Sequence, residues 1–487
     1  MPNDAVSKEQ LDSLQKNAKQ AADLILETVE NREFIHVVSH LDADGLAGAG
    51  IIGKALTRLG AFFRIRIERW LDEKIANSIA TDKPALIIFA DLGSGNLDVL
   101  NSQLVDNHLI ILDHHQTTEE ANPGFVHVNP HLHGIDGSRD LSGAGVVYLV
   151  AKALNKTNLD LAQIAVVGAL GDMQDKYESR ALGGVNKIIV KDAETAGNLQ
   201  TETDLMFFGR ETRPIHKALA YTTVPFIPDI SGQEDRSVAF LASIRISPKK
   251  GDKWRVLRDL SEEEKKRLCS ALADHFASKG LSGNVALNLV GRVYTLSHEE
   301  PWTPLRDARE FSVLLNSTGR MGRTGVGVSI CMGDRGAALE EAGKVLGEYR
   351  RTITKYLGWL TEKPERIEEL NNIYVAHGEG IIDDKMIGTI SSLLSTNIPK
   401  LEKPLVAYSA IQGEELAKFS ARTTDPLVKK GLNLGEILKI AAEKYSGRGG
   451  GHNIAAGAQV PIKNVDAFIK LVDTLVKKQL EGKPIEG

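Results

Sequence analysis

Hydrophobic positions in the first third of the chain change period from one segment to the next. Residues 7–30 put Leu11, Leu14, Ala18, Ala22, Ile25 and Val29 on one side of an amphipathic helix. The runs "FIHVV" (34–38), "ALIIFA" (85–90), "LIIL" (109–112) and "FVHV" (125–128) predict short buried strands, and "FFRIRI" (62–67) alternates at strand period. Helical patterns fall at "GLAGAGIIGKALTRLG" (45–60), which ends on a glycine, at "SGAGVVYLVAKAL" (142–154) and at "LDLAQIAVVGALGD" (159–172). Strands alternating with helices predict an α/β domain with a mostly parallel sheet, placed at residues 31–200 behind an N-terminal helix at 1–30.

The middle region, 201–340, has a weaker pattern. It holds a charged helix at 261–280 and a Gly/Arg segment, "LLNSTGRMGRTGVGVSI" (314–330). The polar helix pattern at 338–360 predicts a linker, assigned to 341–370. A second α/β pattern fills 371–487. Its expected strands are "IYVAHGEGII", "PLVAYSAI" and "LAKFSART", with helices at "MIGTISSLLSTNI", "LGEILKIAAEKYS" and 465–480.

Composition narrows the class. The chain has 487 residues, enough for two or three domains, and is 42% hydrophobic and 25% charged, as soluble proteins are. A net charge of −5 gives no global basic field, so a polyanion would need a local patch. Two cysteines exclude a disulfide framework and fit a reducing cytoplasm. The polar N-terminus does not read as a signal peptide, and no apolar stretch approaches the ~20 residues that cross a bilayer, so no membrane association is expected.

Candidate chemistry collects where the apolar runs stop. "FIHVV" runs into His40, Asp42 and Asp44; "ALIIFA" into Asp91; "LIIL" into Asp113, His114 and His115; and the helix "IAVVGALG" into Asp172. Open α/β sheets keep their ligands at the carboxyl ends of the strands. Taken singly, each acid reads as a turn or a helix cap. Together on one sheet edge they would repel each other unless divalent cations neutralise them, and mixed carboxylate and imidazole ligands suit Mn²⁺ or a similar ion. A carboxylate reached from two sides, such as Asp91, would bridge two ions roughly 3.5–4 Å apart.

These segments, "SHLDADG", "DLGSG", "DHH" and "GALGD", resemble the four ordered motifs of the DHH phosphoesterase superfamily, and "SGRGGGHNIAAGA" (446–458) resembles the glycine-rich signature of its associated C-terminal domain. Size, the N-terminal helix and "LLNSTGRMGR" are similar to the archaeal RecJ-like single-strand exonucleases, some of which associate with the replisome complex GINS. The resemblance covers both α/β parts and implies two lobes facing across a cleft, a DHH domain and a smaller mixed-sheet domain, joined by a helical linker. It also implies two divalent ions, Mn²⁺ or Mg²⁺. His40 and Asp42 would hold one, Asp44, His114 and Asp172 the other, with Asp91 between them. Asp113 would orient His114 or a metal-bound water, and His115 would contact the scissile phosphate. In one departure, His40 stands where bacterial RecJ-type motifs carry an acid; the imidazole agrees with other DHH phosphoesterases.

Glycines let backbone amides approach a phosphate, so Arg448, Gly450, Gly451 and His452 are expected to bind substrate, with Arg422 helping as a planar fork. A plain turn is the other reading of that run. Arg320 and Arg323 read either as backbone contacts to nucleic acid or as a basic loop. Core packing is the expectation for most of Trp70, Trp254, Trp302 and Trp359. The implied activity is a metal-dependent exonuclease on single-stranded DNA, 5′→3′, and RNA, in replication or repair. Its partners would be the strand itself, GINS, a replicative helicase or another repair protein. Two other readings stand beside it: a phosphoesterase of oligonucleotides, dinucleotides or pyrophosphate, and a replisome scaffold.

Overall fold

In a computed structural model, the protein is described over residues 6–485 apart from 118, 223–226, 281–282 and 398–401. It divides into two compact units, Met1–Leu346 and Gly347–Gly487.

The first unit opens with α1 (Lys8–Glu30), started by a capping box between Ser7 and Gln10 that satisfies two otherwise orphaned amides. Its buried face is Leu14, Ala18, Ala21, Ala22 and Ile25. The chain then alternates β1 (Phe34–His40), α2 (Ala43–Arg58), β2 (Phe62–Glu68), α3 (Glu73–Thr81), β3 (Leu86–Ala90), α4 (Leu97–Gln103), β4 (Leu109–Leu112), β5 (Val126–Val128), α5 (Gly143–Leu154), α6 (Ala162–Gly171) and α7 (Gly184–Thr195). The five strands pair in the order β2-β1-β3-β4-β5, every pair parallel. Strand order reverses between β1 and β3, which opens a crevice at their carboxyl ends. The register pairs Ser39 with Ala90 and Ala90 with Leu112. His40, Asp91 and Asp113, one residue further along each strand, therefore meet at one edge.

The same unit continues through β6 (Leu199–Leu205), α8 (Ile215–Ala220), α9 (Glu234–Ser243), β7 (Lys249–Lys250), β8 (Lys253–Trp254), α10 (Glu262–Ser278), β9 (Val290–Leu296), α11 (Ala308–Arg320) and α12 (Thr324–Cys331). Helices α8–α10 share their own core, with Phe207, Ile215, Leu241, Leu272 and Phe276 among its buried residues. The strands β6 and β9 form an antiparallel pair. The Gly/Arg segment is not a loop: Asp307 caps α11, which runs to Arg320, and α12 follows after a short turn. The linker pattern is the helix α13 (Ala337–Glu362).

The second unit holds β10 (Ile367–Glu369), β11 (Tyr374–His377), α14 (Ile387–Asn397), β12 (Leu405–Ala410), β13 (Leu416–Arg422), α15 (Asp425–Lys429), α16 (Leu434–Lys444), β14 (Arg448–Gly451), β15 (Ala455–Pro461) and α17 (Val465–Leu480). Its sheet is mixed, ordered β10-β11-β12-β13-β15-β14, with only β11 and β12 parallel. Phe419, Leu438, Val460 and Phe468 lie in its core. The expected strand "IYVAHGEGII" stops at His377, because Glu379 and Gly380 take positive φ and turn the chain. The last residue of the expected helix "MIGTISSLLSTNI", Ile398, lies outside the described residues. The glycine run is the edge strand β14, paired to β15, not a free loop. Gly449 lies against the Leu438 carbonyl, where an added Cβ would sit 2.3 Å from the oxygen.

Candidate metal centre

Eight of the expected residues gather at the β1/β3/β4 edge. Asp42 follows β1 as the N-cap of α2, its Oδ1 accepting from the Gly45 amide at 3.0 Å. Asp44, in the first turn, is buried and accepts from the Gly143 and Ala144 amides at 2.7 and 3.0 Å, the N-terminus of α5. That helix end favours a negative charge. Asp91 follows β3 with φ +56°, a left-handed conformation that aspartate tolerates better than most residues. Two glycines make room for the acids. A Cβ at Gly143 would lie 2.4 Å from Asp91 Oδ1, and one at Gly168 would lie 2.5 Å from Asp44 Oδ1.

Three groups of side chains are close enough to share a cation: His40, Asp42 and Asp91; Asp44, His114 and Asp172; and Asp91, Asp113, His114 and His115. Asp91 faces both sides. Its Oδ2 lies 3.8 Å from His40 Nδ1, and its Oδ1 lies 3.3 Å from His114 Nε2. Asp91 Oδ1 is buried without a hydrogen-bond partner, and His40 Nδ1 lies 3.0 Å from Asp42 Oδ2. Buried polar atoms normally have a partner, so an orphaned carboxylate oxygen among acids and imidazoles fits a divalent cation.

The charges are strained against each other. Burial, with Asp44 and Asp42 adding to it, raises the Asp91 carboxyl well above its usual range. Burial likewise outweighs His114 and lifts Asp44 to about 6, with Asp172 and Asp42 assisting. Burial would lower the His114 imidazole, but Asp172, Asp44 and Asp113 overcome it and raise it to about 9. Asp42 goes the other way: against its burial, His40 and then the charge of Arg320 hold it below the carboxylate range. Divalent ions would remove the repulsion among the acids.

Asp113 is occupied by hydrogen bonds. Its Oδ2 accepts from the Ser94 amide at 2.8 Å; its Oδ1 accepts from the His114 amide at 2.7 Å and lies 2.7 Å from His115 Nδ1. It therefore orients the His115 ring. The His114 ring is set instead by the Gly137 carbonyl, 2.6 Å from Nδ1. His115 is half exposed, and although burial opposes it, Asp113 raises its imidazole to about 9.

Two positioning residues escaped the sequence reading. Gln174, fully buried, donates from Nε2 to Asp172 Oδ2 and to the Gly137 carbonyl, each at 2.8 Å, and accepts from Asn186 at 2.6 Å. One side chain thus braces two candidate ligands. Asn316 on α11 accepts from the Ala43 amide at 3.1 Å, between Asp42 and Asp44. At Gly319 on the same helix a Cβ would fall 1.8 Å from the Leu41 carbonyl oxygen. The glycines of "SGAG" and "GALG" were the available signal for close packing; nothing in the sequence marked Gln174.

Arg320 ends α11 in the first unit, and the remaining expected residues lie in the second. Arg422 ends β13 and donates from Nε to Ser392 Oγ at 2.8 Å. Arg448, Gly450 and Gly451 are in β14, and His452 follows it.

Known proteins match most of the chain. The DHH family N-terminal domain model matches residues 34–171, the DHH-CID domain 207–290 and the DHHA1 domain 371–478. The uncharacterized protein MJ0831 of Methanocaldococcus jannaschii is 34% identical over 479 residues, 97% of this chain and 99% of that one. The single-stranded-DNA-specific exonuclease RecJ of Thermus thermophilus is 31% identical over 191 residues, 36% of this chain but only 27% of that longer protein. A crystal structure of RecJ from the same organism with Mn²⁺ has a TM-score of 0.58 at 20% identity, covering 95% of this chain and 55% of that one. CDC45 from Entamoeba histolytica has a TM-score of 0.63 at 11% identity, covering 95% and 99%. The chain belongs to the DHH family and is RecJ-like in its domains and fold. The family supports a nuclease or phosphoesterase, with metal-dependent hydrolysis as the chemistry of its RecJ members. Among the described residues no helix is long and apolar enough to cross a membrane.

Proposed function

We propose that the protein is a metal-dependent exonuclease acting on single-stranded DNA or RNA. The observation that carries this is the placing of Asp91, one oxygen toward His40 and the other toward His114, with acids on both flanks. His40, Asp42 and Asp91 would hold one divalent ion, Mn²⁺ or Mg²⁺; Asp91, Asp44, His114 and Asp172 would hold a second. Such a pair supplies Lewis acidity and an activated water for phosphoryl transfer. The chain's own residues do the rest. Gln174 and the α5 amides fix the ligands before substrate arrives. His115, its ring held by Asp113, would donate a hydrogen bond to a phosphate oxygen as charge develops there. Residues 31–200 would form the catalytic part, and 371–487, with Arg422, Arg448, Gly450, Gly451 and His452, would bind the strand.

Digestion of end-labelled single strands with Mn²⁺ or Mg²⁺ tests the reading. Wild type should release nucleotides from one end, 5′ on DNA, and Asp91→Asn should not. Turnover of a dinucleotide with long strands left intact would replace it with a small-substrate phosphoesterase. Equal activity in both proteins would remove the metal mechanism. Pull-down with GINS, on wild type and Asp91→Asn alike, separates a replisome role from catalysis.

A further inference from the structure

Residues 249–258, "KKGDKWRVLR", carry five cations, Lys249, Lys250, Lys253, Arg255 and Arg258, against one acid, Asp252, in a chain whose net charge is −5. The structure folds the first part into a tight hairpin. Lys249 pairs with Trp254 and Lys250 with Lys253, leaving Gly251 and Asp252 as a two-residue turn with Gly251 at φ +62°. All six residues of the hairpin are exposed. Its base is anchored. The Arg255 amide donates to the Pro248 carbonyl at 2.9 Å, and the Arg255 guanidinium grips Glu264 with both nitrogens. Trp254 packs on His216, ring centroids 4.6 Å apart, yet keeps 45% of its surface exposed.

The two kinds of cation are used differently. Arg255 is committed to Glu264, and Arg258 to Glu211 at 3.0 Å. Among the described residues no carboxylate lies within 4.0 Å of the ammonium groups of Lys249, Lys250 or Lys253; the Lys249 ammonium instead lies 4.4 Å from the centroid of the Trp254 ring. We propose that this hairpin is a second nucleic-acid contact, in which the three lysines meet phosphates of a single strand and Trp254 offers its ring to a base. The ligand is a polyanion with π-faces. Lysines bind phosphate as point charges, and an exposed aromatic ring beside them suits a strand with bases rather than an acidic peptide. Base stacking tolerates any sequence, as expected of a surface that guides a strand. The identity of the ligand rests on the single-strand reading above, but the hairpin contributes nothing to the metal centre.

The test uses full-length wild type, the triple variant Lys249→Ala/Lys250→Ala/Lys253→Ala and Trp254→Ala. Binding of a fluorescein-labelled oligothymidylate is followed by anisotropy in EDTA over a salt series. The triple variant should bind about tenfold more weakly at ~0.1 M salt. Its log–log salt slope should fall by roughly 2, because each phosphate neutralised on a single strand contributes ~0.7. Trp254→Ala should weaken binding about fivefold or more with the slope unchanged, since stacking releases no counterions. Turnover of a dinucleotide with Mn²⁺ should be the same in all three, which shows that the variants are folded. A triple variant with wild-type affinity and slope overturns the proposal, and so does one that keeps the strand but loses binding to polyglutamate, which would assign the hairpin to an acidic protein. If wild type digests long strands and the triple variant is indistinguishable, only the hairpin is lost; if wild type neither binds nor digests them, the nuclease reading goes too.

Discussion

Asp204 and Asp91 are both buried aspartates of the first unit, 8% and 2% exposed, and their surroundings are opposite in sign. Asp204 is held by the Arg210 guanidinium and by Lys265 Nζ at 2.7 Å. Burial would raise its carboxyl, but the bonds from Lys265 and Arg210 win and lower it. Around it Arg258 meets Glu211 at 3.0 Å, and Glu310 accepts from the Glu211 amide at 2.9 Å. Asp91 has no such cation. Its neighbours are imidazoles and more acids, and its carboxyl is driven up. Around Asp204 a guanidinium and an ammonium supply countercharge from within the chain, although burial and Asp307 still raise nearby Glu310 to about 7. Around Asp91 only imidazoles stand against the acids, a deficit that divalent cations would fill.

The contrast breaks most visibly at Asp91. Asp91→Asn should reduce strand hydrolysis by more than the ~10²–10³-fold typical of losing one electrostatic donor, measured by single-turnover digestion. Without metal, the same variant should melt at a higher temperature than wild type. A carboxyl whose folded pKa is raised destabilises the fold at neutral pH, and the amide removes that cost. Arg210→Ala should do the reverse. It strands buried acids without a partner, at a cost of roughly 3–5 kcal/mol read from urea unfolding, while calorimetric Mn²⁺ affinity stays as in wild type. Saturating Mn²⁺ should stabilise wild type, by about 2.7 kcal/mol at a hundredfold excess over the dissociation constant, and should do much less for Asp91→Asn in thermal shift. The smallest effect sharpens the picture from behind the ligands. Gln174→Ala should weaken Mn²⁺ binding ~10–100-fold in a calorimetric titration, because Asp172 and the Gly137 carbonyl lose their shared brace.

How much of this was legible follows from which forces are local. Strands that are apolar on both faces announce themselves, and an acid directly after one is conspicuous, so β1, β3 and β4 and their terminal Asp and His residues were readable from period alone. The parallel sheet then dictated that those ends meet. Contacts made at long range left no local trace. Gln174 lies in an ordinary polar segment two residues past Asp172, and only the fold brings it to the Gly137 carbonyl and Asn186. Asn316 is 273 residues from the amide it holds. A basic loop was one reading of the segment around Arg320, yet Asp307 starts a helix that runs to Arg320, and Gly319 serves a close approach to Leu41. In the run "GRGGGH", Gly449 fits β14 against α16, and Gly447 and Gly451 fit against β15, where Cβ atoms would strike backbone; an added Cβ at Gly450 would meet nothing. The tryptophans ran against the expectation of core packing: none of the four is buried, and Trp254 and Trp302 are 45% and 52% exposed.

Anomalous diffraction from crystals of the full-length protein soaked in Mn²⁺ tests the central claim most directly. Two peaks are expected, one against each oxygen of Asp91, with His40 and Asp42 around the first and Asp44, His114 and Asp172 around the second. A centre that stays empty at saturating Mn²⁺, with Asp91 protonated and bonded only to its neighbours, would contradict it.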